Sequence, residues 1–375
     1  MLSVAAPILG AEEKAALSDV VDSGWITMGD RVRAFEQTFA GHHGAEDAVA
    51  VNSCTAGLHL IMLALGIGPR DEVLVPSLTF VATINCVLYA GATPVFVDID
   101  SFDRPLISIA DAADKCTANT KAVIVMHYAG YLVDRREWRR FASSRGLFLI
   151  EDAAHAAGAE QAGTLGDAAA FSFYGNKNMT TAEGGMVTAR DAGVLERIRQ
   201  MRGHGLTSGT FQRFTSQTVG YDVTMLGYNY RMDELRAAVG LAQMKKLSGW
   251  NEKRRALTCL YMKRLKELCP GLTLPFTDGE GSSVRPSSYH IMPIVLPEEV
   301  DRGVVIRRLK ELGIQTSNHY PAAHLLSFYR KHVASVCLSQ TEEFARRELT
   351  LPLHPRMDEL QVECVANAVA KALCR

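Results

Sequence analysis

The sequence lacks an excess of either charge, any recognisable cysteine pairing and any long apolar run. Its 40 lysines and arginines stand against 41 aspartates and glutamates, so nothing indicates a basic surface for nucleic acid or for an anionic membrane. Its eight cysteines form no CxxC pair, which indicates reduced thiols and argues against a zinc site. Because no apolar run could cross a bilayer and the start has no basic signal region, we expect a cytoplasmic protein.

The apolar residues that are present indicate a large core. Hydrophobic residues make up 47% of the 375 positions, which is typical of a globular protein, and the length indicates about two domains. In the first half, short and continuously apolar segments are separated by helix-like stretches. This pattern predicts an α/β architecture with a mostly parallel seven-stranded sheet covered by helices. The segments span residues 48–53, 72–77, 94–100, 122–127, 147–152, 169–173 and 184–189.

The pattern changes near Met232, where long helix-like runs begin. Candidate strands follow at residues 288–296 and 314–320, and a glycine- and serine-rich loop is expected at 278–288. We therefore predict a large α/β domain and a smaller C-terminal α+β domain, over residues 1–245 and 246–375.

Small polar residues follow the first predicted strand, at the apparent start of a helix. Free backbone amides at a helix start favour an anion, so Ser53, Cys54 and Thr55 could hold a phosphate. The alternative is that Ser53 or Thr55 only caps the helix. The first half contains no GxxxxGK(S/T) motif and no strand-linked GxGxxG motif, so a nucleotide cofactor has no recognisable binding loop.

Glu151 and Asp152 end a buried strand in "LFLIEDAAH". Side chains alternate across a strand, so we expect the two carboxylates to face different ways, one of them toward a ligand crevice. A buried carboxylate needs a positive partner, which a protonated ring nitrogen would supply. The alternative is an acid that caps a turn or forms an ion pair.

Lys177 lies in "FSFYGNKNMTTAEGGM", among small and polar residues. An exposed loop lysine is the simplest alternative. However, a phosphate-binding helix start, an acid at a strand end and a reactive lysine together match the requirements of pyridoxal 5'-phosphate (PLP). The lysine bonds covalently to this cofactor, and the acid keeps its ring nitrogen protonated.

Three stretches carry a specific resemblance. "EDAAHAAGA", "FSFYGNKNMTTAEGGM" and "GYNYRMDELRAA" resemble successive motifs of the DegT/DnrJ/StrS family of nucleotide-sugar aminotransferases. The likeness extends from residues 23–36 to residues 351–357. The resemblance implies PLP fold-type I, which is like aspartate aminotransferase. It also implies PLP and its pyridoxamine form as cofactor, and a homodimer with shared active sites.

The resemblance implies a role for each matched cofactor residue. Lys177 resembles the lysine that binds PLP, Asp152 the partner of the pyridine nitrogen, and His155 the residue beside the phenolic oxygen. Phe80, in "PSLTFVAT", resembles the aromatic that stacks on the ring, although an aromatic in an apolar run is usually core. The phosphate would be held by Cys54, Thr55 and Ser172, with Asn229 from the neighbouring subunit.

Substrate contacts are implied for three further residues. Arg231 could meet a carboxylate or phosphate of donor or substrate, with a structural salt bridge as the alternative. His319 and Tyr320, in "SNHYPAAH", match a family motif near the sugar-nucleotide site. Two departures stand out: Cys54 replaces the usual glycine or alanine, and the alanines of "HYPAAH" replace a proline and an apolar residue.

The sequence therefore predicts a PLP-dependent aminotransferase that moves an amino group from an amino acid, with glutamate expected, to a nucleotide-linked keto-sugar. Relatives with histidine in place of Lys177 are dehydratases, so the lysine favours transamination. His155 favours C4 of a 4-keto-6-deoxy sugar, because glutamine is common there in members that act at C3. The alternatives are a 3-keto sugar or keto-inositol acceptor, and a non-catalytic sugar-nucleotide-binding regulator of the same fold.

Overall fold

The seven predicted strands form a single sheet. The computed structural model describes residues 1–208, 215, 220–277 and 287–374. The strands are β1 (Ala48–Val51), β2 (Glu72–Pro76), β3 (Thr93–Val97), β4 (Thr120–Met126), β5 (Phe148–Asp152), β6 (Ala168–Ser172) and β7 (Gly185–Ala189). Their order is β1-β7-β6-β5-β4-β2-β3, and β7 runs opposite to the other six strands. The prediction of a mostly parallel seven-stranded sheet is confirmed.

Helices flank this sheet and form much of the C-terminal part. Among those that the structure describes, none is long and apolar enough to span a membrane. Short 3-10 turns lie at Tyr128–Gly130 and Ala323–Leu325. The α-helices are α1 (Ala11–Ser23), α2 (Asp30–His43), α3 (Cys54–Ala64), α4 (Ala82–Tyr89), α5 (Ile109–Asp114), α6 (Arg135–Arg145), α7 (Ala192–Met201), α8 (Glu234–Leu268), α9 (Arg302–Glu311), α10 (Ser327–His332), α11 (Ser339–Arg347) and α12 (Glu359–Leu373).

Alternating strand residues fill separate apolar cores on the two faces of the sheet. On β2, Val73 and Val75 pack with α3, α4 and α7, whereas Leu74 packs with Trp138 and Phe141 of α6. On that second face, another apolar cluster joins α2 and α8 to β1, β6 and β7. Both faces are therefore covered, which explains why the strands read as continuous apolar runs.

Two glycines allow α3 to approach the sheet closely. A Cβ on Gly57 would lie 2.9 Å from the Cγ2 atom of Val187, and a Cβ on Gly185 would lie 2.6 Å from the carbonyl carbon of Ser53. Any side chain at either position would therefore push helix and sheet apart. Because Gly185 pairs with Ser172, the start of α3 lies next to the carboxyl end of β6.

The C-terminal part has a two-stranded antiparallel sheet, formed by β8 (Met292–Val295) and β9 (Glu348–Leu351). The first candidate strand contains β8, but the strand predicted at 314–320 is wrong. Only isolated bridges occur there, from Ile314 to Leu2 and from Ser317 to Thr350. The pairing of Ser317 with Thr350 does not continue into a strand. The amide of His319, two residues later, donates to the side-chain carboxyl group of Glu348 instead of to a backbone carbonyl oxygen of β9. Most of the predicted loop at 278–288 lies outside the described residues.

Helix α8 is 35 residues long and contributes to two cores. Its first half packs against α2 and the large sheet through Ala237, Met244 and Leu247. Its second half packs against β8, β9 and α12 through Leu257 and Leu265. The predicted division between residues 245 and 246 falls within this helix and stays a prediction.

The first residue of α8 also caps α2. Glu234 is 2% exposed, and its carboxylate accepts from the amides of Gly29 (2.9 Å), Val32 (2.9 Å) and Arg31 (3.0 Å). A helix start has free amides and a partial positive charge, so this buried carboxylate satisfies both.

We expect Glu234→Ala to lower the free energy of unfolding by about 2 kcal/mol, because three amides lose their acceptor. Hydrogen exchange should speed up first at Gly29, Arg31 and Val32. The control is Glu252→Ala, which removes an exposed glutamate of the same helix and should cost less than about 0.5 kcal/mol. Equal effects of the two substitutions on exchange at these amides would contradict the capping role.

Candidate active site

Asp152 and Glu151, at the end of β5, face opposite ways. The Asp152 carboxylate accepts from the Thr83 hydroxyl of α4 at 2.6 Å and from the Ala154 amide at 3.1 Å. The Glu151 carboxylate lies 2.8 Å from Nε2 of His127 and also accepts from the amides of Gly163 and Gly166. Burial raises the pKa of Asp152, while Thr83, Ala154, Lys177 and His127 oppose the rise. Asp152 is the carboxylate that shares a site with Lys177.

Lys177 follows β6 in a turn, where its amide donates to the carbonyl oxygen of Tyr174 at 3.0 Å. The residue as a whole is half-buried. Burial lowers the pKa of its amine to about 8, although the negative charges of Asp152 and Cys54 act in the opposite direction. A simple exposed loop lysine would have no such shift, so this position favours the reactive interpretation.

Asn178 anchors the loop that carries Lys177. Its side-chain amide nitrogen donates to Oδ1 of Asn251 (2.8 Å) and to the carbonyl oxygen of Ser288 (2.7 Å). Its Oδ1 lies 2.8 Å from Nδ1 of His290. All four residues are buried, so one fully bonded amide ties the loop to α8 and to the segment before β8.

The residues at the start of α3 differ in whether their polar groups are still available to bind an anion. Ser53 caps the helix, since its hydroxyl accepts from the Ala56 amide at 3.1 Å. The Cys54 thiol faces the carbonyl oxygen of Ala170 at 3.5 Å, and burial raises the pKa of that thiol well above its ordinary value. The Thr55 hydroxyl has no hydrogen-bond partner in the described part of the chain. The first-turn amides and Thr55 are therefore the groups available to a phosphate.

Ser172 and Phe80 lie at the same edge of the sheet. The Ser172 hydroxyl accepts from the Tyr174 amide at 3.3 Å. Phe80 is 55% exposed, which excludes the alternative of a core aromatic. Its ring centroid lies 6.1 Å from that of Tyr320, so the Phe80 ring forms part of the cleft wall.

His155 is a buried, neutral imidazole with one free nitrogen. Its Nε2 lies 2.8 Å from the Tyr320 hydroxyl, and its ring centroid lies 4.3 Å from that of His290. Burial lowers its pKa well below the ordinary value, as do Lys177, His290 and His319. Its Nδ1 is buried and has no partner among the described residues. An unpartnered buried nitrogen of this kind indicates space for a polar group of a ligand.

The segment with His319 and Tyr320 closes the other side of this cleft. The His319 ring centroid lies 6.2 Å from that of His155, and burial and Lys177 lower the pKa of His319 to about 4. The Tyr128 hydroxyl donates to the carbonyl oxygen of His319 at 2.5 Å. Both residues of the "HY" pair therefore lie beside His155, and the charge of Lys177 acts on the His319 ring.

Asn229 and Arg231 form no hydrogen bond or ion pair with Lys177 among the described residues. The Asn52 side chain donates to the Asn229 carbonyl oxygen at 3.4 Å, and the Asn229 residue is exposed. Arg231 lines a cavity of about 490 Å³ with Arg202 and other residues. Within the described residues its guanidinium forms no hydrogen bond or ion pair, so the predicted alternative of a salt bridge finds no partner there.

Sequence reasoning missed several residues that support the site. Thr83, Asn178, His290 and Thr350 are ordinary polar residues of the sequence, and no local pattern singles them out. Glu348 offered one signal, because it is a lone acid in front of the apolar run "LTLPL".

The residues present fit PLP. The Nδ1 of His155 and the Thr55 hydroxyl, neither of which has a hydrogen-bond partner among the described residues, leave polar atoms for a ligand. Asp152 offers a buried carboxylate to a cationic ring nitrogen, and Lys177 offers an amine of lowered pKa. Together they suit a ligand with a protonated ring, an aldehyde and a phosphate.

Comparisons with known proteins find relatives that match almost end to end. Residues 7–370 match the model of the DegT/DnrJ/EryC1/StrS aminotransferase family. The spore coat polysaccharide biosynthesis protein SpsC of Bacillus subtilis is 37% identical over 97% of this chain and 95% of its own. The crystal structure of aminotransferase TlmJ from Streptoalloteichus hindustanus is 34% identical, with a TM-score of 0.89 over 100% of this chain and 99% of its own. Spr1654 of Streptococcus pneumoniae, assigned as a sugar aminotransferase and solved in its PLP form, is 26% identical, with a TM-score of 0.87 over 99% of both chains.

We expect Asn178→Ala to lower the free energy of unfolding by about 3 kcal/mol and to weaken PLP binding, because three buried polar groups lose their partner. Thermal unfolding and an absorbance titration with PLP measure the two effects. The control is Asn176→Ala, which alters the exposed asparagine on the other side of Lys177 and should change stability by less than about 0.5 kcal/mol. Unaltered PLP affinity in Asn178→Ala would show that this anchor does not position the lysine.

We also expect the PLP-free protein to acylate at Lys177 with a pH midpoint of about 8. Below this pH the amine is protonated and unreactive, so the rate rises through the midpoint and then levels off. Asp152→Asn should shift the midpoint to lower pH, because the carboxylate favours the charged amine. Peptide mass spectrometry measures the rate, with the exposed Lys121 as internal reference. A midpoint near the ordinary lysine value of about 10.4 would contradict the burial effect.

Proposed function

This chain belongs to the DegT/DnrJ/EryC1/StrS aminotransferase family, and from that premise we propose that it transfers an amino group from glutamate to the keto carbon of a nucleotide-linked sugar. It is a PLP-dependent sugar aminotransferase. The observation that carries the proposed transfer chemistry is that Asp152 and Lys177 share one site, in which burial lowers the pKa of the Lys177 amine to about 8.

PLP, when bound, supplies an electron-accepting ring and the carbonyl carbon that carries the amino group between donor and acceptor. Asp152 would hold the positive charge of the ring nitrogen, and Thr83 and Ala154 fix the orientation of its carboxylate. Thr55 and the first-turn amides of α3 would bind the phosphate. Phe80 would lie against the ring, and the Nδ1 of His155, which has no partner among the described residues, would meet a polar atom of the ligand.

Lys177 moves the proton. A neutral amine can take a proton from the substrate carbon and return it elsewhere, and a base works best when its pKa lies near the working pH. The lowered pKa of about 8 leaves a substantial neutral fraction close to neutral pH, whereas an ordinary lysine would be almost fully charged. Burial of this amine is therefore part of the proposed mechanism.

The sugar binds on the side of the cleft formed by His319 and Tyr320. Both residues are linked to the proposed cofactor residues. The Tyr320 hydroxyl bonds to His155, and the charge of Lys177 helps to lower the pKa of His319. The histidine at position 155 supports a 4-keto-6-deoxy sugar as acceptor. A 3-keto sugar and a keto-inositol are the competing acceptors, and a non-catalytic regulator of the same fold is the competing function.

A homodimer completes the proposal. Asn229 is exposed and forms no hydrogen bond with Lys177 among the described residues, which suits a residue that serves the site of a second copy. Arg231 lies two residues further along; it is half-buried, has no hydrogen-bond or ion-pair partner within the described part of the chain, and suits an anionic group of a donor or substrate.

The test is visible absorption of the PLP-loaded protein before and after excess glutamate. Wild type should show the band of lysine-bound cofactor, and glutamate should bleach it to the pyridoxamine form. Lys177→Ala should show neither, because the amine that binds and moves the proton is gone. Lys121→Ala removes an exposed lysine and should behave as wild type.

Acceptors are then compared by adding nucleotide-linked 4-keto sugars, 3-keto sugars or a keto-inositol to the protein whose cofactor glutamate has converted to the pyridoxamine form. Recovery of the lysine-bound band with a 4-keto sugar alone supports the proposed acceptor. Recovery with another acceptor replaces it. A wild type that binds PLP but is unchanged by glutamate would overturn glutamate as donor, and one that forms no lysine-bound band would overturn the role of Lys177.

A further inference from the structure

A buried acid lies behind the sugar side of the cleft. Glu348 of β9 is 0% exposed. Its Oε1 accepts from the Thr350 hydroxyl at 2.5 Å, and its Oε2 accepts from the His319 amide at 2.9 Å. No lysine or arginine in the described part of the chain forms an ion pair with this carboxyl group. Arg302 instead donates to the backbone carbonyl oxygen of Glu348 at 3.0 Å.

Burial without an ion pair favours the neutral form of this acid. The pKa of Glu348 is raised to about 8, although Thr350, the His319 amide and the charge of Arg302 oppose the rise. The group therefore changes charge near neutral pH. Over the same range His319 stays neutral, because its pKa is lowered to about 4.

Thr350 connects this acid to the His319 ring. Its hydroxyl oxygen lies 2.9 Å from Nδ1 of His319 and also bonds to Oε1 of Glu348. A hydroxyl has one proton to donate, and a neutral imidazole carries its proton on one nitrogen only. The direction of one hydrogen bond therefore fixes the direction of the other.

Two proton arrangements satisfy every group in this chain of contacts. When Glu348 is ionised, Thr350 donates to it, His319 donates from Nδ1 to Thr350, and Nε2 of His319 is a bare acceptor. When Glu348 is neutral, its Oε1 proton is donated to Thr350, and Thr350 donates to Nδ1. The ring proton then resides on Nε2. In both arrangements Oε2 of Glu348 still accepts from the His319 amide, so the backbone need not move.

The Nε2 atom of His319 is free to meet a ligand. It has no hydrogen-bond partner among the described residues. It is also not one of the buried atoms in that condition, so this nitrogen is exposed to the cleft. Other titratable groups surround Glu348 and His319. None of those described forms a hydrogen bond with the His319 ring or with the carboxyl group of Glu348, whose shared side-chain partner is Thr350. The surrounding groups are Tyr128, His155, Lys177, His290, Arg302 and Tyr320.

We propose that Glu348, acting through Thr350, is a positioning residue that sets which tautomer of His319 faces the substrate cleft. The inference rests on the proposed function only in treating this cleft as the sugar side of the site. A bare Nε2 accepts from a sugar hydroxyl, whereas a protonated Nε2 donates to a keto or phosphate oxygen. The proton state of one buried acid thus selects the polar group that His319 can hold.

The experiment is nuclear magnetic resonance of the PLP-loaded protein with ring-15N histidine, which distinguishes Nδ1–H from Nε2–H. The His319 signals are assigned by their loss in His319→Gln. In wild type we expect Nε2–H at low pH and Nδ1–H at high pH, with a midpoint of about 8. Glu348→Gln should stay Nε2–H throughout, because its amide accepts from the His319 amide and always donates to Thr350.

A matched pair of variants tests the connection without removing the acid. Thr350→Ser keeps the hydroxyl and should titrate as wild type. Thr350→Val breaks the link, so its His319 tautomer should no longer follow pH with a midpoint of about 8. This pair decides the proposal even if Glu348→Gln fails to fold.

A wild-type tautomer that does not change with pH would overturn the proposal, as would Thr350→Val that titrates like wild type. These signals are read without turnover. A protein that switches tautomer but aminates no sugar would contradict the proposed acceptor alone, and one that aminates sugars without the switch would contradict this inference alone.

Discussion

The close packing of α3 against the sheet is the constraint on which the rest of the site depends. Gly57 and Gly185 leave no space for a Cβ between helix and strands. The amides of the α3 start therefore lie beside the carboxyl ends of β5 and β6, where Asp152 and Ser172 stand. A wider gap would separate the anion-binding amides from Asp152 and Lys177, and no single ligand could then contact both.

The buried acids around this edge are held mainly by uncharged donors. Asp152 relies on Thr83 and a backbone amide, and Glu348 relies on Thr350 and a backbone amide. Neutral donors stabilise a carboxylate less than a fixed cation does, so burial can still raise the pKa values of both acids. The site thus keeps groups whose charge responds to a cationic ligand or to a proton.

Much of the fold and of the site could be predicted, because those features are local in sequence. Continuous apolar runs revealed the seven strands, and short motifs revealed Lys177, Asp152 and His155. The residues that support them depend on distant partners: Asn178 bonds to residues 251, 288 and 290. The strand expected at 314–320 failed for a similar reason, since the buried carboxyl group of Glu348 takes the amide that a strand would have used. Pattern alone cannot reveal such tertiary competition.

Helix α8 has a mechanical consequence beyond its packing. At 1.5 Å per residue its 35 residues extend about 50 Å, and Glu234 clamps its first turn to α2. Along its length, Asn251 binds the loop of Lys177 through Asn178, and Arg254 donates to the carbonyl oxygens of His290 and Leu353. The helix is therefore held to α2 at its first turn and, near its middle, to the loop of Lys177 and to the segments that carry His290 and Leu353. The Lys177 loop and the segments that carry His290 and Leu353 are thus attached to one and the same helix, so a displacement of either relative to the sheet must bend that helix or break one of these buried hydrogen bonds.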